Sequence, residues 1–201
     1  MANSNSSDLK IAILAGGQSR RMGVDKLALE INGKTILQRT VDTAVSTGVP
    51  VIVVGRTDQP GGSGHGVHQI ADDEPGAGPL AALRTALTAA APNDVVALAA
   101  DLPYLTTRSI AWLIESAAIY ADTPGVAVRN GDFLEPLFSV YRQSSASAIE
   151  HLMLNGRRSL HSLIESTSFT VISAPEWVTK ELYNLNEPAD WEKVTEAPPA
   201  A

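Results

Sequence analysis

The sequence predicts an α/β fold, a three-layer sandwich in which helices cover both faces of a mostly parallel central sheet. Short apolar stretches alternate with segments of helical periodicity along most of the chain. The apolar stretches are nearly continuous, which is typical of strands that are buried on both faces of a parallel sheet. Glycine-rich or acidic segments follow several of them. Ligands of such sheets bind at the carboxyl ends of the strands.

The individual elements are predicted from apolar runs, helical spacing and capping residues. Strands are predicted at 9–15, 50–55, 67–71, 94–100, 125–129, 136–141 and 169–174. Helices are predicted at 35–47, 79–91, 106–120, 143–154, 159–165 and 188–195. Pro79 suits a first helical turn, and Thr106 or Thr107 is expected to cap the next helix. Together these elements predict a single domain over residues 9–195, with flexible tails at 1–8 and 196–201.

Composition excludes several classes of protein. The chain has 201 residues, of which 44% are hydrophobic and 18% charged, as in ordinary globular domains. It contains no cysteine, which excludes disulfides, thiolate zinc sites and iron–sulfur clusters. No apolar run approaches the roughly 18 residues of a membrane-spanning helix. The polar N-terminus does not resemble a secretory signal, so we expect a cytoplasmic protein without a membrane partner.

The charge is unevenly distributed. The formal net charge is −7, which argues against nucleic acid as a partner. Residues 1–60 nevertheless carry seven basic and five acidic side chains, so that segment is +2 and the remainder is −9. A basic cluster within an acidic chain indicates a small anionic ligand. A few solvated surface arginines are the alternative interpretation.

The strongest chemical signal is segment 14–26, Leu-Ala-Gly-Gly-Gln-Ser-Arg-Arg-Met-Gly-Val-Asp-Lys, which follows the first predicted strand. Its glycines allow backbone N–H groups to approach phosphate oxygens. Arg20, Arg21 and Lys26 supply charge-assisted hydrogen bonds. The spacing fits neither a Walker A loop nor a dinucleotide-binding fingerprint. The segment therefore predicts phosphate binding, with a glycine turn and incidental basic residues as the alternative.

Asp101 directly follows the apolar strand at 94–100 and is expected to be an exposed carboxylate in the same crevice. A carboxylate there suits Mg²⁺, which proteins hold with one or two carboxylates and substrate phosphates. A turn or capping role before Pro103 is the alternative interpretation.

Two further polar segments leave their roles open. Asn184 and Asn186 precede the predicted terminal helix, and they either complete a magnesium shell or cap that helix. Asp72 and Asp73 follow another predicted strand, and they either contact a base or ribose or are solvated loop acids.

At these loops the chain resembles the molybdenum cofactor guanylyltransferase (MobA) family of small nucleotidyltransferases. That family opens with Leu-Ala-Gly-Gly-x-Ser-x-Arg-Met-Gly-x-Asp-Lys, which residues 14–26 match. The later motifs follow in order: Asn-Gly-Lys at 32–34, Gly-Pro-Leu at 78–80, Asp-x-Pro at 101–103 and Asn-x-Asn-x-Pro at 184–188. The resemblance runs through almost the whole chain. It departs from the family at Gly55-Arg56, where family members carry an asparagine.

The resemblance implies a Rossmann-like, nucleotide-diphospho-sugar transferase-like fold. It also implies Mg²⁺-dependent transfer of GMP from GTP to the terminal phosphate of molybdopterin, with release of pyrophosphate. The implied nucleotide-binding residues are Leu14, Ala15, Gly16, Gly17, Ser19, Arg20, Lys26, Asp72, Gly78 and Asp101. The implied catalytic residues are Lys26, Arg21 and Asp101, the metal ligands Asp101 and Asn186, and the acceptor-binding residues Glu135 and Asn184. Transient docking with cofactor-delivery proteins or molybdoenzymes is also expected.

Two other functions stay open at this stage. One is a related cytidylyltransferase acting on a pterin, an isoprenoid or a sugar phosphate. The Ala-Gly-Gly loop followed by Asp25-Lys26 favours the guanylyltransferase over it. The other is a non-catalytic nucleotide-binding module, which would not need to retain both Lys26 and Asp101.

Overall fold

The computed structural model describes residues 9–16, 25–55 and 66–183. Its strands are β1 (Leu9–Leu14), β2 (Glu30–Ile31), β3 (Lys34–Thr35), β4 (Val51–Val54), β5 (Val67–Ile70), β6 (Asp94–Ala99), β7 (Gly125–Asn130), β8 (Phe133–Tyr141) and β9 (Thr170–Ser173). Its α-helices are α1 (Ile36–Val45), α2 (Pro79–Ala90), α3 (Thr107–Ala118), α4 (Ala146–Leu154), α5 (Leu160–Ser166) and α6 (Glu176–Thr179). Short 3₁₀ turns lie at Lys26–Ala28 and Gln143–Ser145.

Seven of these strands form one sheet in the order β5-β4-β1-β6-β8-β7-β9. Within this described sheet, β8 alone runs antiparallel to its neighbours, and the remaining adjacent pairs are parallel. The predicted mostly parallel sheet is therefore confirmed. The carboxyl ends of β1, β4, β5, β6 and β7 share one edge of the sheet, and β8 begins at that same edge. This is the edge where ligands bind in such folds.

The two faces of the sheet carry separate hydrophobic cores. Ile11 and Ile13 of β1 belong to the core under α1 and α3, whereas Ala12 and Leu14 belong to the core under α2, α4 and α5. Successive strand residues point to opposite faces, so a strand covered on both sides needs apolar residues at every position. Full burial of each large aliphatic side chain contributes about 1.5–3 kcal/mol. The continuous apolar runs thus specify the three layers.

The helix starts follow their capping residues. Thr35 caps α1: its Oγ1 accepts from the Gln38 N–H at 3.1 Å, and its own N–H donates to Gln38 Oε1 at 3.0 Å. Thr106 caps α3 in the same reciprocal way with Ser109, so the first of the two predicted caps is the one used. Such a cap contributes typically ~1 kcal/mol.

Four local features differ from the sequence predictions. Strand β8 begins at Phe133, three residues before the predicted 136–141, because the chain turns directly after β7 and pairs at once. The predicted helix at 143–154 opens as a 3₁₀ turn before α4. The short β2–β3 hairpin and the four-residue helix α6 are not predicted, since neither is long enough to show a hydrophobic period. The predicted helix at 188–195 and both tails lie outside the described residues.

No helix in the described parts of the chain is long and apolar enough to cross a lipid bilayer.

The end of β4 contacts the loop that follows β1. Gly55 has φ +95°, and a Cβ at this position would lie 3.0 Å from the Gly16 nitrogen and 3.1 Å from its Cα. We expect Gly55→Ala to lower the free energy of unfolding by about 2–4 kcal/mol, through a positive φ and a steric overlap with backbone. Urea unfolding measures this loss.

Gly48 provides the matched control, because it has φ +77° and a Cβ at its position would meet nothing within 4 Å. Gly48→Ala is expected to lose only the roughly 1–2 kcal/mol that the positive φ costs. Equal losses in the two variants would show that the approach of Gly55 to Gly16 has no energetic role.

Candidate active site

Adjacent strand ends are tied together at the carboxyl edge of the sheet. The Ala15 N–H donates to the Val54 carbonyl at 2.9 Å, and the Gly55 N–H donates to the Ile70 carbonyl at 2.9 Å. These bonds continue the pairing of β1 with β4 and of β4 with β5 past the strand ends. These hydrogen bonds hold the ends of β1, β4 and β5 side by side, and the loops that carry the predicted site residues start from these ends.

Gly16 and Asp72 lie side by side at this edge. A Cβ built on Gly16 would lie 3.9 Å from Asp72 Oδ2. Asp72 Oδ1 accepts from the Glu74 N–H at 3.2 Å, which fixes the start of the loop after β5. The structure thus brings together two of the residues that the resemblance assigns to nucleotide binding.

Leu14 and Ala15, also predicted to bind the nucleotide, have buried side chains in opposite cores. The Ala15 N–H is already used by Val54. Any contact of these two residues with a ligand is therefore limited to the remaining backbone groups.

Gly78 caps the amino end of α2 with φ +97°. A Cβ there would lie 3.1 Å from Arg158 Cβ, and the Leu80 N–H donates to the Arg158 carbonyl at 3.2 Å. Gly78 therefore allows the start of α2 to pack closely against the segment that leads into α5. Its role in this structure is to let the backbone at the start of α2 lie close to the backbone of Arg158 beside the site.

Lys26 and Asp101 form an ion pair between residues 75 positions apart in the chain. Asp25 Oδ1 accepts from the Leu27 N–H at 3.2 Å and starts the 3₁₀ turn that presents Lys26. On the other side, buried Thr40 donates to the Ala100 carbonyl at 3.2 Å and fixes the end of β6. The Lys26 Nζ then contacts Asp101 Oδ2 directly.

The ion pair corrects one expectation from the sequence. The sequence predicts an exposed carboxylate at Asp101, but this side chain is only 14% exposed and that of Lys26 is 23% exposed. The Lys26 ammonium, presented by the 3₁₀ turn, covers one oxygen of this carboxylate. Partial exclusion of water strengthens the attraction between the two charges and raises the cost of separating them.

A cavity of about 340 Å³ opens next to Asp101, between α2, α5 and the start of β8. Its volume falls in the range of about 300–1,000 Å³ that is usual for small-molecule sites. Its ionisable lining residues are Asp101, Glu135 and His161. The remaining lining is mainly apolar: Pro79, Ala99, Leu102, Leu134, Pro136, Leu137, Phe138, Ser159, Leu160 and Leu182.

Glu135 is presented to this cavity by an irregular stretch of β8. The pairing of β7 with β8 shifts between Val126 and Val128. Within the shift, the Ser139 hydroxyl donates to the Glu135 carbonyl at 2.7 Å, and the hydroxyl of buried Tyr141 donates to the Pro136 carbonyl at 2.8 Å. Side-chain hydroxyls thus replace the missing ladder hydrogen bonds and fix the backbone on both sides of the bulge.

The Glu135 carboxyl is half-buried. The Asn130 side-chain amide donates to its Oε1 at 3.1 Å. Burial raises the pKa of the Glu135 carboxyl, and the Asn130 hydrogen bond and the nearby His161 oppose that shift. The structure therefore places one proposed acceptor-binding residue and the proposed metal ligand Asp101 around one cavity.

Six of the predicted site residues lie outside the described residues: Gly17, Ser19, Arg20, Arg21, Asn184 and Asn186. In the parts of the chain that are described, no three His, Asp or Glu side chains gather into a group that could hold a metal ion. His161 at the cavity mouth is a residue that sequence reasoning missed. In the sequence His161 is marked only by its position two residues after Ser159, which caps α5. That position does not indicate a cavity unless the packing of α5 against β8 is known.

The fold and the residues at the carboxyl edge of the sheet indicate a class of proteins. A mostly parallel sheet with a lysine–carboxylate pair and a ligand-sized cavity at the carboxyl ends of its strands is typical of nucleotide-binding proteins of the α/β class.

Comparison with known proteins identifies the family. Residues 11–171 match the family model of the MobA-like NTP transferase domain, and the chain belongs to that family. It is 35% identical over 196 residues to a protein of Opitutus terrae named as a probable molybdenum cofactor guanylyltransferase, covering 94% of this chain and 95% of that one.

Solved structures share the fold. Molybdopterin-guanine dinucleotide biosynthesis protein A from Archaeoglobus fulgidus superposes with a TM-score of 0.76 at 23% identity, covering 93% of this chain and 97% of that chain. A manganese complex of a protein from Mycobacterium tuberculosis superposes with a TM-score of 0.69 at 16% identity, covering 94% and 99%.

The energetic coupling of Lys26 and Asp101 is testable by a double-mutant cycle on stability. We expect Lys26→Met and Asp101→Asn each to lower the free energy of unfolding, and the double variant to lose less than the sum of the two. The interaction term should be about 1 kcal/mol or more, because both charges are largely shielded from water. Chemical denaturation of the four proteins measures it.

Lys34 and Asp42 form the matched control pair, at 2.6 Å but with side chains 57% and 52% exposed. A cycle of Lys34→Met and Asp42→Asn should give an interaction term close to zero. An equally small term for Lys26 and Asp101 would contradict the shielding seen in the structure.

Proposed function

We propose that this chain transfers GMP from GTP to the terminal phosphate of molybdopterin, releasing pyrophosphate and forming molybdopterin guanine dinucleotide. The observation that carries the proposal is the Lys26–Asp101 pair at the carboxyl edge of the sheet, beside a cavity large enough for a second substrate. The name of the Opitutus terrae relative supports guanylyl transfer in particular. GTP as a substrate favours a cytoplasmic location.

The donor set fits Mg²⁺. Asp101 offers carboxylate oxygens, and the described residues around it do not form a closed set of metal ligands. Mg²⁺ is commonly held by one or two carboxylates together with substrate phosphates, so an incomplete protein shell matches this ion. Asn186 is the second protein ligand that we propose. When bound, the ion would neutralise charge on the phosphates. The manganese complex of the Mycobacterium tuberculosis protein supports a divalent cation.

The residues of this chain would act by positioning the substrates and by stabilising the negative charge of the phosphates. We assign the triphosphate to the segment around Gly16, with Gly17, Ser19, Arg20 and Arg21 contributing hydrogen bonds and charge. Asp72 and Gly78 border the nucleoside. Lys26 would hold its positive charge near the leaving pyrophosphate, where negative charge builds in the transition state. Preorganised charges of this kind lower the barrier without covalent chemistry by the protein.

The cavity beside Asp101 would take the acceptor. Its terminal phosphate would lie near the positive charge of Lys26, and Glu135 is one of the acceptor-binding residues that we propose. Asn184 is a further acceptor-binding residue in this proposal. Transient docking of cofactor-delivery proteins or molybdoenzymes would bring the acceptor or remove the product.

Pyrophosphate release tests this function. GTP, CTP, ATP and UTP are supplied separately, each with molybdopterin and Mg²⁺. We expect release with GTP alone. Release with CTP instead would replace the guanylyltransferase by a cytidylyltransferase of the same fold, and no release with any nucleotide would overturn the proposed reaction.

The role of the ion pair is tested by single substitutions. We expect Asp101→Ala to abolish pyrophosphate release and Lys26→Ala to lower kcat on the order of 10²-fold, as for loss of one preorganised electrostatic contact. Steady-state kinetics with GTP and molybdopterin measure both effects.

Asp42→Ala and Lys34→Ala serve as controls, because this exposed pair has the same residue types on the surface of the hairpin and α1. They should retain near-normal turnover. A Lys26→Ala variant with unchanged kcat and only a raised KM would show that Lys26 binds ground state and transition state equally, against the proposed role.

A further inference from the structure

Three successive residues after α6, Glu181, Leu182 and Tyr183, contact the loop at 101–106, and we call them the 181–183 clamp. The loop begins with Asp101, the proposed metal ligand, and ends with Thr106, which caps α3. Glu181 and Thr106 are 75 positions apart in the chain. The clamp therefore joins two distant segments beside the proposed metal ligand.

Glu181 makes the polar contact of the clamp. Its Oε2 accepts from the Thr106 N–H at 3.1 Å and from the Thr106 hydroxyl at 2.8 Å. A carboxylate that accepts two hydrogen bonds at the start of a helix is stabilised by its charge and by the positive end of the helix dipole. The contact is partly buried, so salt screens it less than a surface contact. It thus fixes the end of the loop to the segment that follows α6.

The other two residues of the clamp make apolar contacts with the same loop. Leu182 is buried and belongs to the same core as Leu102. It also lines the cavity beside Asp101. The ring of Tyr183 lies edge-to-face with that of Tyr104, and the two ring centroids are 6.2 Å apart. The clamp therefore contacts the loop at several positions.

Helix α6 gives the clamp a fixed base. Val178 is fully buried in the core, and its carbonyl accepts from the Glu181 N–H at 2.9 Å. The Trp177 ring packs edge-to-face against Trp112, with ring centroids 6.4 Å apart, and the Arg108 guanidinium lies 4.2 Å from the Trp177 ring centroid. Trp112 and Arg108 belong to α3. Helix α6 is therefore packed on the helix that follows the loop.

We propose that Glu181 is a positioning residue for the divalent cation. Through Thr106 it holds the loop of Asp101 beside the segment that continues to Asn186. Asn186 follows Tyr183 by three residues, which span at most about 11 Å, so a fixed Tyr183 limits where Asn186 can lie. The inference rests on the proposed function, which takes Asp101 and Asn186 as the metal ligands. Glu181 itself would contact neither the ion nor a substrate.

Holding the two segments together matters because few protein ligands are proposed for the ion. Such a site loses affinity when the segments that carry its ligands must be ordered at the moment of binding. Residues that hold metal ligands in place typically contribute about 10- to 100-fold to metal affinity. Glu181 acts through Thr106 and not on a ligand directly. We therefore expect an effect near the low end of that range.

Binding of Mn²⁺ tests the positioning role without turnover. Mn²⁺ is titrated into the chain with saturating GTP, and the relaxation rate of water protons separates Mn²⁺ on the protein from Mn²⁺ on GTP alone. We expect Glu181→Ala to weaken Mn²⁺ binding by about 10-fold, because the two segments are no longer held together. Unchanged affinity in this variant, or a wild-type chain that binds no Mn²⁺, would overturn the inference.

Glu181→Gln separates position from charge. The carboxamide oxygen can still accept both hydrogen bonds from Thr106, but the negative charge is lost. We expect this variant to retain most of the wild-type affinity for Mn²⁺. Equal losses in Glu181→Gln and Glu181→Ala would assign the effect to attraction between the Glu181 charge and the ion, and would overturn the positioning role.

Glu176→Gln is the matched control. Glu176 lies on α6, five positions before Glu181, and its side chain is 84% exposed and paired with Lys180 at 2.8 Å. Removal of this carboxylate should leave the affinity for Mn²⁺ unchanged. A loss as large as that in Glu181→Ala would show that the acidic residues of this segment act alike, against a particular role of Glu181.

Thr106→Ala provides a second variant, in case Glu181→Ala does not fold as judged by thermal unfolding. It removes the hydroxyl donor and keeps the N–H donor, so we expect a smaller loss of affinity for Mn²⁺. Thr106→Ser keeps both donors and should bind Mn²⁺ as the wild-type chain does. Unchanged affinity in Thr106→Ala, or an equal loss in Thr106→Ser, would contradict the role of this contact.

Turnover gives an independent measure of the same effect. In Glu181→Ala the Mg²⁺ concentration for half-maximal pyrophosphate release should rise by about 10-fold, while kcat at saturating Mg²⁺ stays near wild type. A lower kcat at saturating Mg²⁺ with an unchanged Mg²⁺ dependence would show a general structural role and overturn the inference.

The inference and the proposed function fail separately. Pyrophosphate release with GTP together with unchanged Mn²⁺ affinity in Glu181→Ala would keep the function and overturn the inference. A Glu181-dependent affinity for Mn²⁺ in a chain that releases no pyrophosphate would keep the positioning role and overturn the function.

Discussion

The ion pair between Lys26 and Asp101 is the interaction on which the site depends. It joins the loop after β1 to the end of β6, and both strands are held side by side at the centre of the parallel sheet. Two partly buried charges are costly to desolvate, and an apolar pair of similar size would cost the fold less. We interpret the presence of this costly pair as a functional constraint: it keeps a cation and a carboxylate together where phosphates are proposed to bind.

The second constraint is the bulge in β8. The buried hydroxyls of Ser139 and Tyr141 satisfy backbone carbonyls that the shifted ladder leaves unpaired. This arrangement turns Glu135 towards the cavity, while residues 138–141 of β8 remain paired with β6. The cavity is consequently lined by the Asp101 and Glu135 carboxylates among mainly apolar side chains.

Much of the fold was predictable because its physical signals are local. Strands buried on both faces require continuous apolar runs, and Thr35 and Thr106 mark helix starts by their own hydrogen bonds. The strand-end rule also placed Asp72 and Asp101 at the correct edge. The pairing of Lys26 with Asp101, the shielding of Asp101 and the arrival of His161 at the cavity could not be predicted, because they depend on contacts between distant segments. The nucleotide, metal and acceptor roles of these residues stay predictions.

The proposed function requires that Asp101 would bind a divalent cation, and Lys26 a phosphate of GTP, when both are present. Crystals grown with GTP and Mn²⁺, with data collected at the manganese absorption edge, test this most directly. The account predicts anomalous density within bonding distance of the Asp101 carboxylate, with Lys26 Nζ turned from Asp101 to a phosphate oxygen. Manganese bound elsewhere, with the Lys26–Asp101 pair intact beside an ordered GTP, would contradict it.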